Sequence, residues 1–116
     1  MEIKIPIYKV DTIKRLFRKP IYVFEVPFVY PKKSIINDII FNTYIIESDR
    51  DRLKYSQVSN IRMYVKQDEY KAFINGITSY YKSIRTDYPK YIPEILRKSA
   101  YVNNWVNADK FAEIII

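Results

Sequence analysis

Asp49, Asp51 and Glu69, with Lys71 two residues beyond the last, are the side chains best suited to hold a divalent cation and activate a water molecule. Carboxylate oxygens suffice for magnesium, which takes hard oxygen ligands and needs neither imidazole nor thiolate. That matters because the 116 residues contain no His and no Cys. A His-based hydrolytic triad, a thiolate nucleophile and a zinc enzyme are thereby excluded. Gly76 is the only glycine, so neither a P-loop nor a GxGxxG turn can be built, since both need several glycines for close backbone approach to phosphate. No cofactor is expected, and the balance of the composition is against an enzyme.

The second chemistry-bearing group is cationic. Twenty Lys and Arg against thirteen Asp and Glu leave a net charge of +7, and residues 1–37, with eight cations and three acids, hold +5 of it. Six of these cations, Lys14, Arg15, Arg18, Lys19, Lys32 and Lys33, flank Pro20 and Pro31, with Phe17 and Tyr30 between them. Clustered Lys and Arg hold phosphates by charge before any specific contact forms, and interleaved aromatic rings can stack on bases. Nucleic-acid binding through these six residues is the leading expectation. The competing reading is a solvated surface that keeps a small domain soluble.

Secondary elements must position both groups. Residues 2–10 set Ile3, Ile5 and Ile7 against polar neighbours with a period of two, which predicts a strand. Asp11 or Thr12 then caps a short helical turn through residues 14–18, ended by Pro20, as a basic connector. Residues 21–30 are rich in β-branched and aromatic side chains, but Pro27 lacks an N–H, which predicts an edge or bulged strand. Ser34 caps a short helix over residues 35–41, followed by a strand at 43–46 and a polar loop at 47–52. Residues 60–67 alternate again and predict a strand. Asp68 then caps the clearest helix, in which Tyr70, Phe73, Ile74, Ile77, Tyr80, Tyr81 and Ile84 recur at core spacing to about Arg85. The three tyrosines are expected to bury their rings with their hydroxyls reaching solvent. The same helix carries Lys71, Asn75, Thr78, Lys82 and Arg85, a polar face suited to a DNA groove or to solvent. Pro93 opens a second helix to about Val102, and Asn107 or Asp109 starts a last one through Phe111.

Strands that precede helices predict a single α+β domain over residues 1–116, with helices packed on one face of a small, mostly antiparallel sheet. The longest apolar stretch, residues 21–30, is interrupted by Glu25 and Pro27 and falls short of the ~20 residues that cross a bilayer. The opening alternation carries Glu2 and Lys4 within it, so no targeting segment is expected. A cytoplasmic protein without a membrane partner follows.

Two resemblances add to this reading. A carboxylate followed by the triplet Glu69-Tyr70-Lys71 resembles the PD-(D/E)xK nuclease core, in which acidic residues hold a divalent metal and a lysine assists the attacking water. The resemblance implies magnesium-dependent cleavage of nucleic acid. This chain departs from the pattern in lacking the preceding Pro-Asp, and a cap at Asp68 puts Glu69 on a helix instead of a strand. Few glycines, no cysteine and the runs Ile35-Ile36, Ile39-Ile40, Ile45-Ile46 and Ile114-Ile115-Ile116 resemble the small orphan proteins of viruses that infect hyperthermophilic archaea. That resemblance carries over no functional residue and implies DNA binding or inhibition of a host protein.

Three function classes therefore stand open. They are a non-enzymatic nucleic-acid-binding protein, a protein-interaction module and a magnesium-dependent nuclease. The interaction module would be a viral inhibitor of a host protein or a homo-oligomer component that covers its C-terminal isoleucines.

Overall fold

The computed structural model describes residues 1–29, 45–48 and 58–116. Two long strands open the chain, β1 at Lys4–Arg15 and β2 at Arg18–Val29, joined through Leu16 and Phe17. They are followed by β3 at Ile45–Ser48, β4 at Val58–Lys66, a 3-10 turn at Gln67–Glu69 and helix α1 at Tyr70–Asp87. A second 3-10 turn at Pro89–Tyr91 leads into helix α2 at Ile92–Val102, and β5 at Asp109–Ile115 closes the sheet. The strands lie in the order β3-β4-β2-β1-β5, and every neighbouring pair is antiparallel. The expected α+β class and antiparallel sheet are met, within one globule.

β2 explains where the helices go. Every residue from Val23 to Val29 is buried, and successive side chains of a strand point to opposite faces, so both faces of the sheet need a cover. Phe24 stacks on Phe73 of α1, with ring centroids 4.8 Å apart. Val23, its neighbour, packs instead with Tyr8, Val10 and Val102 of α2. Val102, at the end of α2, thus lies across the sheet from Phe73, while Ile92 and Ile95 at the start of α2 join the cluster that holds the buried stripe of α1.

Each helix buries one stripe. α1 buries Phe73, Ile77, Tyr80, Tyr81 and Ile84, the three-and-four spacing of a single helical side. α2 buries Ile92, Ile95, Ser99 and Val102. Ser99 is small enough for α2 to approach β1, and its hydroxyl donates to the Pro6 carbonyl at 2.6 Å. Full burial of a large apolar side chain is worth about 1.5–3 kcal/mol, so these two stripes are a major source of the stability of the fold.

Several expectations are corrected by pairing between distant segments. The basic connector is not a helical turn: β1 runs on to Arg15, which pairs with Arg18, and residues 14–18 form the end of a β-hairpin. β2 is central, not an edge, but Pro27 lies beyond Glu25, the last residue of β2 paired with β1. At that point β2 has β4 as its strand neighbour, which is where a residue without an N–H is tolerated. Asp68 makes no capping hydrogen bond, and the chain enters α1 through the 3-10 turn. The last segment is a strand and not a helix, because Ile114 pairs with Ile5 and Ala112 with Ile7. This buries Ile114 within the chain and ties down Ile116, which exchanges two 2.9 Å backbone hydrogen bonds with Ile3, while Ile115 on the opposite side of the strand stays exposed. Glu47 and Ser48 belong to β3 and not to a loop. The helix expected at 35–41 and the remainder of the polar loop, 49–52, lie outside the described residues.

Candidate nucleic-acid interface

β5 pairs with β1 from Lys4 to Lys9, and β4 pairs with β2 from Ile21 to Val29. Past the Ile13–Ile21 pair the two long strands have only each other among the described elements. Residues 14–20 thus form a two-stranded arm, and within those seven residues four are cations and none is an acid. Lys14, Arg18 and Lys19 are exposed and Arg15 is partly so.

The arm is ordered by its own backbone. Arg15 donates from Nε and Nη2 to the Lys19 carbonyl at 3.0 and 2.7 Å, which fixes its guanidinium across the hairpin. The remaining donors of that planar group stay open to a ligand. Arg15 also sits directly opposite Arg18 in the register. Like charges in that relation destabilise a strand pair, and an anion between them would reverse the sign.

At the end of the arm, Leu16 is 82% exposed and Phe17 97% exposed. Phe17 has φ of 58°, the only positive value at a non-glycine position among the described residues. Two-residue hairpin turns that need positive φ ordinarily use Gly, Asn or Asp, and a side chain with a Cβ in that conformation costs about 1–2 kcal/mol.

The other predicted residues divide sharply. Lys32 and Lys33 lie outside the described residues, as does Tyr30, so four of the six predicted phosphate ligands have a described place and all four are on the arm. Lys9, by contrast, is engaged inside the protein: its Nζ lies 4.9 Å from the centre of the Tyr22 ring and 5.9 Å from that of Phe111. On α1, Thr78 donates to the Ile74 carbonyl and Arg85 to the Met1 carbonyl at 2.6 Å, so two members of its polar face are used internally. Tyr80 and Tyr81 are buried to the hydroxyl, which bonds to the end of β2 and does not reach solvent.

The nuclease constellation is not assembled among the described residues. Asp49 and Asp51 lie outside them; Glu69 ends the 3-10 turn before α1, partly buried, with Oε2 lacking a hydrogen-bond partner, and Lys71 is exposed in the first turn of the helix. No group of three Asp and Glu side chains among the described residues is placed to hold a metal ion. A separate cleft of about 450 Å³, lined by Asn60, Arg97, Lys98 and Tyr101, opens between β4 and α2. Arg97 there faces Glu94 at 3.4 Å. No described helix is long and apolar enough to cross a membrane.

The sequence locates the arm's charges but not the hairpin that carries them, and Leu16, exposed beside Phe17 at its end, is not among the candidates it offers. The signal available was an apolar pair, Leu16-Phe17, bracketed by cations with no core to enter. Comparison of the chain with protein-family models, with curated proteins and with solved structures finds no match.

Proposed function

We propose that this protein binds nucleic acid without acting chemically on it, and that the β1–β2 arm is its phosphate-binding element. The observation that carries this reading is the concentration of Lys14, Arg15, Arg18 and Lys19, with no acid among them, on an arm that no other described element covers. A two-stranded ribbon is a shape that DNA grooves accept. Its exposed cations lose little hydration until phosphates replace the water, and releasing condensed counterions from the duplex then drives association. The arm offers cations and apolar groups but no carboxylate or nucleophile, which favours binding over cleavage.

The experiment is a titration of a short DNA duplex at several salt concentrations. Four phosphate contacts predict a slope of log K against log salt of about −3.6. Joint replacement of Lys14, Arg15, Arg18 and Lys19 by Ala should flatten that slope towards zero. Phosphate contacts strengthen steadily as salt is lowered, so no binding by the unaltered protein even at about 50 mM salt would overturn the reading.

A protein-interaction module is the second reading, supported by the exposed side chains of Leu16, Phe17, Tyr101 and Val106. Its oligomeric form has less support, because Ile114 is already buried against β1.

A further inference from the structure

We infer that Leu16 and Phe17 are a wedge that enters the base stack of duplex DNA, opens one base step and bends the duplex. The inference rests on the arm binding DNA and adds a mechanical role for its tip.

Three observations converge on the tip. First, Leu16 and Phe17 are 82% and 97% exposed and belong to neither apolar cluster of the protein. A lone exposed leucine is ordinary, whereas two adjacent large apolar side chains at the end of a projecting arm are placed for contact. Second, Phe17 holds φ of 58° with no intramolecular return for its ring. Glycine would relieve that conformation, yet the single glycine of the chain is at position 76, inside α1. Strain retained at an exposed, uncompensated position is characteristic of a functional contact. Third, the pair is bracketed symmetrically: Arg15 and Arg18 face each other across the hairpin immediately behind it, with Lys14 and Lys19 one residue further back.

This arrangement commits to one occupant. Four cations behind two apolar tips complement a partner that carries negative charge outside and flat apolar faces inside, and a DNA duplex has that layering. Apolar side chains inserted between base steps from the minor groove unstack the step and kink the duplex by roughly 20–90°. The arm's cations would then lie against the phosphates that flank the opened step. Pyrimidine–purine steps, which unstack most readily, are the preferred sites.

Bending is read directly by energy transfer between dyes at the two ends of a duplex of about 25 base pairs carrying a central TA step, with 2-aminopurine at that step reporting unstacking. The unaltered protein should raise both transfer efficiency and 2-aminopurine emission. The variants Phe17→Gly and Leu16→Ser/Phe17→Ser should bind with a salt slope unchanged and an affinity within about tenfold, and should produce neither signal. If unaltered protein binds with neither signal, or if both variants bend the duplex as well as it does, the wedge is overturned while phosphate binding by the arm stands. If the unaltered protein binds no DNA, the binding reading fails and the wedge with it. Retained far-ultraviolet circular dichroism in both variants separates loss of the wedge from loss of the fold.

Discussion

The Tyr80 hydroxyl engages both backbone groups of Val29, accepting its N–H at 2.6 Å and donating to its carbonyl at 3.3 Å. One side chain of α1 thereby satisfies the buried terminus of β2. Tyr81 donates to the Pro27 carbonyl at 2.9 Å, two residues earlier on the same strand. These adjacent tyrosines tie the helix to the strand whose other end is the arm.

Replacing Tyr80 by Phe should therefore cost more than its single oxygen suggests. The Val29 N–H would be left buried without a partner, a loss of about 1–3 kcal/mol. Urea denaturation at neutral pH measures it, and a change below about 0.5 kcal/mol, the range of neutral surface substitutions, would refute the assignment.

Alkaline pH should weaken the same junction. Burial raises the Tyr80 pKa, partly offset by its bond to Val29, and burial with the neighbouring Tyr80 raises that of Tyr81 well above the usual range. Both groups hold their protons more tightly folded than unfolded. Their contribution is complete below the unfolded value near 10 and is lost as pH rises above it, by up to about 1.4 kcal/mol per pH unit for each residue. Urea midpoints at pH 9, 10 and 11 should fall progressively, and Tyr81→Phe should make the decline shallower.

Phe17→Gly should stabilise the protein, against the usual direction of a glycine substitution. Removing the Cβ relieves the positive φ, for a gain of up to about 1 kcal/mol after the added freedom of the unfolded chain is counted. Thermal unfolding measures the gain, and a lower midpoint would show that the ring supports the fold.

Cations of the N-terminal third should not be equivalent in DNA binding. Lys14→Ala should reduce the salt slope by about 0.9, the increment for one phosphate. Lys9→Ala should leave the slope unchanged, since its ammonium is already placed over the Tyr22 ring.

Core substitutions should report on the packing of both helices. Phe73→Ala removes the ring stacked on Phe24 and should cost about 3–5 kcal/mol. Ser99→Val in α2 should also destabilise, by about 1–3 kcal/mol, because added bulk pushes α2 from β1. Denaturation midpoints of both variants test this, and tolerance of either would contradict the described packing.

How much of this was legible in the sequence depended on whether a side-chain period existed to be read. α1 declared itself because Phe73, Ile77, Tyr80, Tyr81 and Ile84 follow one helical stripe. β4 and the first half of β1 alternate because one side of each is more deeply buried. The arm has no period, since it meets solvent on both sides, and Leu16-Phe17 lacks the Gly or Asn that marks a hairpin turn. β5 begins with Asp109, which reads as a helix cap until β1 is placed beside it.

Composition alone determined which chemistries are missing, through absent His and Cys and a single Gly, and it located the charge surplus in the N-terminal third. Tertiary structure alone decided that Lys14, Arg15, Arg18 and Lys19 line one arm behind Leu16 and Phe17. It also decided that β2 is buried on both faces, with Phe24 against α1 and Val23 against the end of α2. Ladder hydrogen bonds join backbone groups whatever their side chains, so an exposed hairpin and the order of strands in a sheet are set by distant partners and leave little local trace.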